Sequence, residues 1–360
     1  MSRILLCGGG TGGHIAPALA VGRELEQRGH TIGYVTLGRA IEERFASGDA
    51  QRYTLSAERP GERRCRRLRL LLRLPKVLAE ARRILDDFRP DVVVGTGGLA
   101  AFFPLRAALR RRIPTALLEV NARAGRVTRM LAKKVGVVLC GFEGSAAELS
   151  AAGARAREIG VPIRAGFGVA TREAARAHFG FPRAGLVIAV LGGSQGASGV
   201  NRIAAELAPA WVAAGHQLVH AAGAYDAARY AETARALAGP GSWRVVEFLA
   251  EVDLLLAAAD LVLARAGAST VAEIAASGRA AVLVPYPHHA DQHQLANALG
   301  LGEGALIAEE QAWGPALRER IGALVDQPAQ LERMANASRR AARPDAARHA
   351  AREIEALSAI

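Results

Sequence analysis

Cysteine is scarce in this chain: three in 360 residues, Cys7, Cys65 and Cys140. So few, and odd in number, they exclude a disulfide framework and suit a reducing compartment. Long hydrophobic runs are missing too. No 18 consecutive apolar residues occur, and the longest stretch free of charged residues and histidine, 184–201, is broken by Gly, Ser and Gln, so no transmembrane helix is expected. Residues 4–7 are too short an apolar run for a signal peptide and meet glycines at once. Lysine is nearly absent, 3 against 43 Arg, which reads as genomic base composition rather than function. No acid stands near Thr36, where a dinucleotide-binding fold carries one at the end of its second strand.

What is present is a globular composition, 51% hydrophobic and 22% charged. The length exceeds one ordinary core, so two domains are expected. The net charge of +12 is unevenly placed. Residues 1–163 hold 28 basic and 15 acidic residues; residues 164–360 hold 18 and 19. The partner of the N-terminal half is therefore expected to be anionic: nucleic acid, a phospholipid surface or a phosphorylated substrate.

Strand-like runs alternate with helix-length segments. In the first half they fall at 4–7, 31–36, 91–95, 115–119 and 136–140; in the second at 186–191, 217–221, 244–248, 261–264, 281–284 and 305–307. This alternation predicts an α/β fold of two Rossmann-like, doubly wound domains with parallel sheets. Each opens on strand, glycine loop and helix: LCGGGTGGHIAPALA at 6–20 and LGGSQGAS at 191–198. Such loops bring backbone N–H groups and a helix dipole to an anionic or sugar ligand. The join falls near 160–168, giving domains 1–163 and 164–343. Pro344 opens a last helix, 344–360, expected to return to the first domain. Ligands of open α/β sheets bind at the strands' C-terminal ends, so the two edges are expected to face each other across a cleft.

The most specific stretch is DLVLARAGASTVAEIAASG at 260–278. A strand ends at Ala264 and a helix is expected from Ser269 or Thr270, with its N-terminus suited to a diphosphate. Glu273 is read on the first turn, where it either accepts both hydroxyls of a ribose or closes a capping box with Thr270. From the residues alone both readings stand. In PYPHHADQHQLANA at 285–298, Asp291, Gln294 and Asn297 share a face if a helix begins near Asp291, which suits sugar hydroxyls. His288, His289, Asp291 and His293 could instead form a zinc set, with no further ligand in view.

GGGTGGHIAPALA, LGGSQGA, ARAGASTVAEI and DQHQLANA, in this order and spacing, resemble the MurG family of bacterial N-acetylglucosaminyltransferases. The resemblance covers nearly the whole chain. It implies the GT-B glycosyltransferase architecture and inverting transfer of GlcNAc from UDP-GlcNAc to a polyprenyl-diphosphate-linked muramyl pentapeptide, in peptidoglycan synthesis. It also implies residue roles. Thr11, Gly12 and Gly13 lie against donor sugar and diphosphate. Asn121 binds a GlcNAc hydroxyl. Arg164 and Ser194 are phosphate-side contacts, and Leu249 reads uracil through its backbone. Ala268, Ser269, Thr270, Val271, Ala272 and Glu273 hold diphosphate and ribose. Gln294 contacts the donor sugar, with His293 beside it. The family's E-Q-N reads Glu119-Val120-Asn121 here, its N-P-V-R reads Val161-Pro162-Ile163-Arg164, and its G-G-Y loop reads Gly97-Gly98-Leu99.

Inverting transfer needs a base for the attacking hydroxyl and stabilisation of the leaving UDP. His14 is the candidate base, because a helix N-terminus disfavours imidazolium and leaves a neutral acceptor. The competing reading is a histidine that merely caps the helix or hydrogen-bonds the loop, and Asp291 is the reserve base. No D-x-D occurs, so no metal and no other cofactor is expected.

Gly192–Gly196 also fits the nucleophile elbow G-x-S-x-G, but a serine hydrolase leaves the first glycine loop and the Glu273 helix unexplained. Three further functions are compatible with two such domains: a UDP-GlcNAc isomerase, a non-catalytic sugar-nucleotide binder, and a transferase with another acceptor.

The basic stretch RRCRRLRLLLRLPKVL, residues 63–78, contains no acid. Pro75 suits the first turn of a helix running to about Asp87, which makes 63–74 a loop or separate turn. Arg66, Arg67, Leu70, Leu71 and Arg73 are read as a peripheral contact with the cytoplasmic face of the membrane. The competing reading is a core stripe of leucines under a solvated arginine face. Without an aromatic stacking platform or a known motif, nucleic acid is not expected as the partner.

Overall fold

Runs such as VVVG and VIAVL are buried at every position, and that pattern on both faces makes a parallel sheet between helix layers. The computed structural model describes residues 1–9, 12–39, 50–57, 64–193, 196–288 and 291–358; of residue 12 and of 64–73 it describes the backbone alone. The chain divides into two compact units, Met1–Arg164 with Pro344–Ile360, and Ala165–Arg343.

The first unit runs β1 (Arg3–Cys7), α1 (Gly12–Gln27), β2 (Thr31–Thr36), β3 (Gln51–Thr54), α2 (Arg64–Phe88), β4 (Val92–Gly95), α3 (Gly98–Arg110), β5 (Thr115–Glu119), α4 (Arg126–Leu131), β6 (Val137–Cys140), α5 (Glu143–Ala151) and β7 (Ala156–Glu158). Its sheet is parallel, in the order β3-β2-β1-β4-β5-β6-β7.

The second unit runs α6 (Arg172–Phe179), β8 (Val187–Leu191), α7 (Ser198–Ala213), β9 (Gln217–Ala221), α8 (Ala227–Arg235), β10 (Ser242–Val246), α9 (Val252–Ala258), β11 (Leu261–Ala264), α10 (Ala268–Ser277), β12 (Ala280–Leu283), α11 (His293–Leu299), β13 (Ala305–Ile307), α12 (Pro315–Gly322) and α13 (Pro328–Ala341). Its sheet is also parallel, in the order β10-β9-β8-β11-β12-β13. The last helix, α14 (Ala346–Ser358), belongs to the first unit. Ile354 and Leu357 bury there, with Leu357 against Gly136. Glu355 accepts from Arg28 and His30, each at 3.0 Å.

Each sheet reverses its winding once. In the first the reversal lies between β1 and β4, whose last residues, Cys7 and Gly95, are in register. In the second it lies between β8 and β11, with Leu191 opposite Ala264. The two glycine loops leave the sheets at these points, where open α/β sheets bind ligands.

Three local expectations are corrected. Strands β3 and β7 have no apolar run to announce them: both are sheet-edge strands, with patterns QRYT and ARE mostly exposed. Strand β10 begins two residues earlier than its Val-rich part, because Ser242 and Trp243 pair with Gln217 and Leu218. The helix before β4 does not start at Pro75 but runs unbroken over Arg64–Phe88 with Pro75 inside. Pro75 is exposed, and a proline on the solvent side of a helix can leave a carbonyl to water without breaking the helix. Among the described residues no helix is long and apolar enough to cross a membrane.

Candidate active site

At the first switch point β1 ends in Cys7 and β4 in Gly95, and their following loops meet around His14. His14 sits in the first turn of α1. Its Nδ1 lies 2.5 Å from the Thr96 carbonyl oxygen. A carbonyl only accepts, so Nδ1 carries the proton and Nε2 the lone pair. Gly97 and Gly98 lie against the ring with φ of 92° and 70°. A Cβ at Gly97 would come within 3.1 Å of the imidazole Cε1 and would also be strained by that φ. The Gly-Gly pair after β4 is thus a seat for the histidine.

One strand further on, β5 ends in Glu119, which is 4% exposed. Its carboxylate accepts from the Asn121 N–H at 3.0 Å, the Asn121 amide at 3.3 Å, the Gly125 N–H at 2.8 Å and the Thr128 hydroxyl at 2.6 Å. One buried charge therefore ties down residues 121–128 and holds Asn121 at the carboxyl edge of the sheet.

At the second switch point α10 begins at Ala268, earlier than its sequence suggests, with Gly267 as a cap that offers no side chain. Thr270 is consequently the third helical residue and cannot cap, so the capping-box reading of Thr270 and Glu273 is not realised. Glu273 falls in the second turn, not the first, and is half-buried. The Val271 N–H is taken by the Gly267 carbonyl at 2.9 Å, and the N–H groups of Ala268, Ser269 and Thr270, ahead of the first intrahelical bond, have no backbone acceptor among the described residues. The Ser269 hydroxyl is buried and has no hydrogen-bond partner among the described residues. Donors of this kind at a helix N-terminus suit phosphate oxygens.

The approach to α10 is braced by Arg265, whose guanidinium donates to the carbonyls of Val284 and Pro285 and pairs with Glu310 at 2.5 Å. Glu310 in turn lies on Gly199, where a Cβ would meet its carboxylate at 2.3 Å. Neither this brace nor Thr96 was evident from sequence motifs. Thr96 stands between Gly95 and Gly97, and Arg265 two residues before Gly267, each just past a switch-point strand, which is the signal that could have found them.

The other expected site residues divide by unit. Gly13 is in the first turn of α1 and exposed, and Arg164 is exposed at the last position before the second unit. Leu249 is half-buried, three residues beyond β10. Gln294 is the second residue of α11, and its Oε1 accepts from the Tyr286 N–H at 3.0 Å. Asp291 precedes α11 rather than lying on it, and its Oδ1 accepts from His293 Nδ1 at 2.7 Å. Asn297 points inward, fully buried, and donates to the Ala266 carbonyl, so the three-residue polar face is not formed. That geometry also takes one nitrogen of His293 from the zinc set. His289, Thr11 and Ser194 lie outside the described residues, as do the side chains of Arg66, Arg67, Leu70, Leu71 and Arg73; Gly12 is the first residue of α1.

Two doubly wound parallel-sheet units, each with a glycine loop at its switch point, are the architecture of a GT-B glycosyltransferase. Residues 4–139 match the glycosyltransferase family 28 N-terminal domain, and residues 187–350 its C-terminal domain. Two curated relatives carry the name UDP-N-acetylglucosamine–N-acetylmuramyl-(pentapeptide) pyrophosphoryl-undecaprenol N-acetylglucosamine transferase. The one from Mycobacterium tuberculosis H37Rv is 36% identical, over 99% of this chain and 89% of its own. The one from Desulfitobacterium hafniense is 34% identical, over 96% of each. Among solved structures, Acinetobacter baumannii MurG superposes with a TM-score of 0.77 at 25% identity, over 98% of this chain and 99% of that one. The chain belongs to the MurG family of N-acetylglucosamine transferases.

Proposed function

We propose that the chain transfers GlcNAc from UDP-GlcNAc to undecaprenyl-diphosphate-linked N-acetylmuramyl pentapeptide, with inversion, as a peripheral protein on the cytoplasmic face of the membrane. The observation that supports the reading is 34–36% identity, over nearly the whole chain, to relatives so named. His14 Nε2 takes the proton of the acceptor hydroxyl while that oxygen attacks the anomeric carbon from the face opposite UDP. The bond from the anomeric carbon to the phosphate oxygen breaks, and the electron pair leaves with UDP. The N–H groups of Ala268, Ser269 and Thr270, with the Ser269 hydroxyl and Arg164, hold the charge that develops on the diphosphate. Glu273 accepts the ribose hydroxyls, while Asn121 and Gln294 orient the GlcNAc.

The test is incubation with labelled UDP-GlcNAc and the lipid-linked muramyl pentapeptide, with product analysis. A disaccharide-linked lipid is expected, and His14→Ala should lower kcat by roughly 10²–10⁴-fold with little change in donor affinity. Consumption of UDP-GlcNAc without acceptor would make the protein an isomerase. Full turnover by His14→Ala would move the base to Asp291.

A further inference from the structure

Thr96 is the last residue before the Gly97-Gly98 pair, and it is 2% exposed. Three of its atoms are committed. Its N–H donates to the Cys7 carbonyl at 2.9 Å, which locks the end of β4 to the end of β1. Its own carbonyl accepts from His14 Nδ1. Its hydroxyl donates to the His14 carbonyl at 2.8 Å. The two residues thus hold each other by backbone and side chain at once. Space for this exists only because residue 8 is glycine: a Cβ there would lie 2.2 Å from the Thr96 hydroxyl oxygen and 2.9 Å from the His14 carbonyl oxygen.

We infer that Thr96 is a positioning residue, clamping His14 in the Nδ1–H tautomer with Nε2 presented to the acceptor hydroxyl. The inference rests on the reading of His14 as the base. A base must reach its proton within hydrogen-bond distance, in the right tautomer and direction. A carbonyl fixes the tautomer because it cannot donate, and the hydroxyl fixes the turn that carries the ring. Removing the hydroxyl leaves the carbonyl in place but frees the first turn of α1 to shift against β4. Displacement of a reacting group by about 1 Å can lower a rate on the order of 100-fold.

The test compares Thr96→Val, which keeps the branched shape and loses the hydroxyl, with Thr96→Ser, which restores the hydroxyl. Gly8→Ala, which drives a methyl into the same hydrogen bond, is an independent variant. Thr96→Val and Gly8→Ala are expected to lower kcat about 10- to 100-fold with the KM for UDP-GlcNAc within about twofold. Thr96→Ser is expected to stay within about threefold of wild type in kcat. Nitrogen NMR of histidine-labelled enzyme, assigned against His14→Ala, should show a single Nδ1–H tautomer for His14 in wild type and a mixture in Thr96→Val. Wild-type kcat in both Thr96→Val and Gly8→Ala, beside an inactive His14→Ala, would overturn the inference and leave the base reading intact. An active His14→Ala would instead overturn the base reading. If Thr96→Val does not fold, Gly8→Ala and the wild-type tautomer decide: a wild-type Nε2–H tautomer overturns the inference.

Discussion

Glu273 and His220 show how differently two polar residues of one unit can be used. For Glu273 the capping role is gone, since the helix starts before Thr270. Glu273→Ala is expected to raise the donor KM by roughly 10- to 100-fold, the loss of a charge-assisted hydrogen bond of about 1.5–3 kcal/mol. An unchanged KM with a lower melting temperature would make the residue structural. His220 is fully buried, its ring parallel to Trp243 at a centroid distance of 5.9 Å. Its Nε2 donates at 2.9 Å to the Asn201 oxygen, because the Asn201 amide is spent on the Ala222 carbonyl and Asp226. Its Nδ1 has no partner among the described residues, so a second proton would add an unmatched buried donor and charge, and burial lowers the pKa to about 4. Below about 6.5 the unfolded chain binds that proton and the folded one does not, so stability is complete above pH 6.5 and is lost as pH falls toward 4. The shift corresponds to about 3 kcal/mol. Denaturant unfolding followed by tryptophan fluorescence should show this loss, and His220→Gln should flatten it; an equally steep acid dependence in the variant would refute the assignment. Neither role was legible from residue spacing. The capping box and the ribose ligand share one sequence pattern, and His220 looks like any histidine in a strand until its neighbours are known.

At the level of elements, α14 returns to the first unit after the whole of the second. It brings buried Ile354 and Leu357, and ion pairs from Glu355 to Arg28 and from Glu353 to Arg157. Ending the chain after Arg343 should cost the first unit roughly 3–6 kcal/mol from the two large side chains, the half-exposed ion pairs adding little. All three tryptophans, Trp211, Trp243 and Trp313, are in the second unit. The truncation should therefore shift the far-ultraviolet circular dichroism transition downward and leave the tryptophan transition in place. A shift of both would mean that the units unfold as one. The inner strands were legible because full burial demands apolar runs. The edge strands β3 and β7 were not, since one side of each faces solvent and polar residues are tolerated there. Pro75 misled for a related reason: proline is expected to end a helix, but Pro75 is exposed inside an unbroken one, where solvent can take the place of a lost backbone bond.

Across the whole molecule, charge follows the division into units. The first holds 31 basic and 18 acidic residues, the second 15 and 16. If the proposed lipid-linked acceptor brings the protein to a membrane, the first unit is the side that an anionic surface attracts, at about 1 kcal/mol per arginine close to it. Binding to vesicles containing anionic lipid should weaken with salt and with Arg66, Arg67 and Arg69 replaced by Glu, while a soluble acceptor analogue is still processed. Equal binding to neutral vesicles would remove the electrostatic contribution. The unequal halves could be counted from the sequence; that 64–74 belongs to the helix and not to a loop could not, because Pro75 reads as a helix start. The return of α14 bears finally on how the protein is made. A ribosome completes the segment Met1–Arg164 first, yet that unit lacks its closing helix until Ala165–Arg343 has been translated. At about 5–20 residues per second the delay is on the order of ten to forty seconds. During it the surface awaiting Ile354 and Leu357 stands open on the nascent chain, so the unit synthesised first is the last to finish folding, and the interval is a natural point for a chaperone to act.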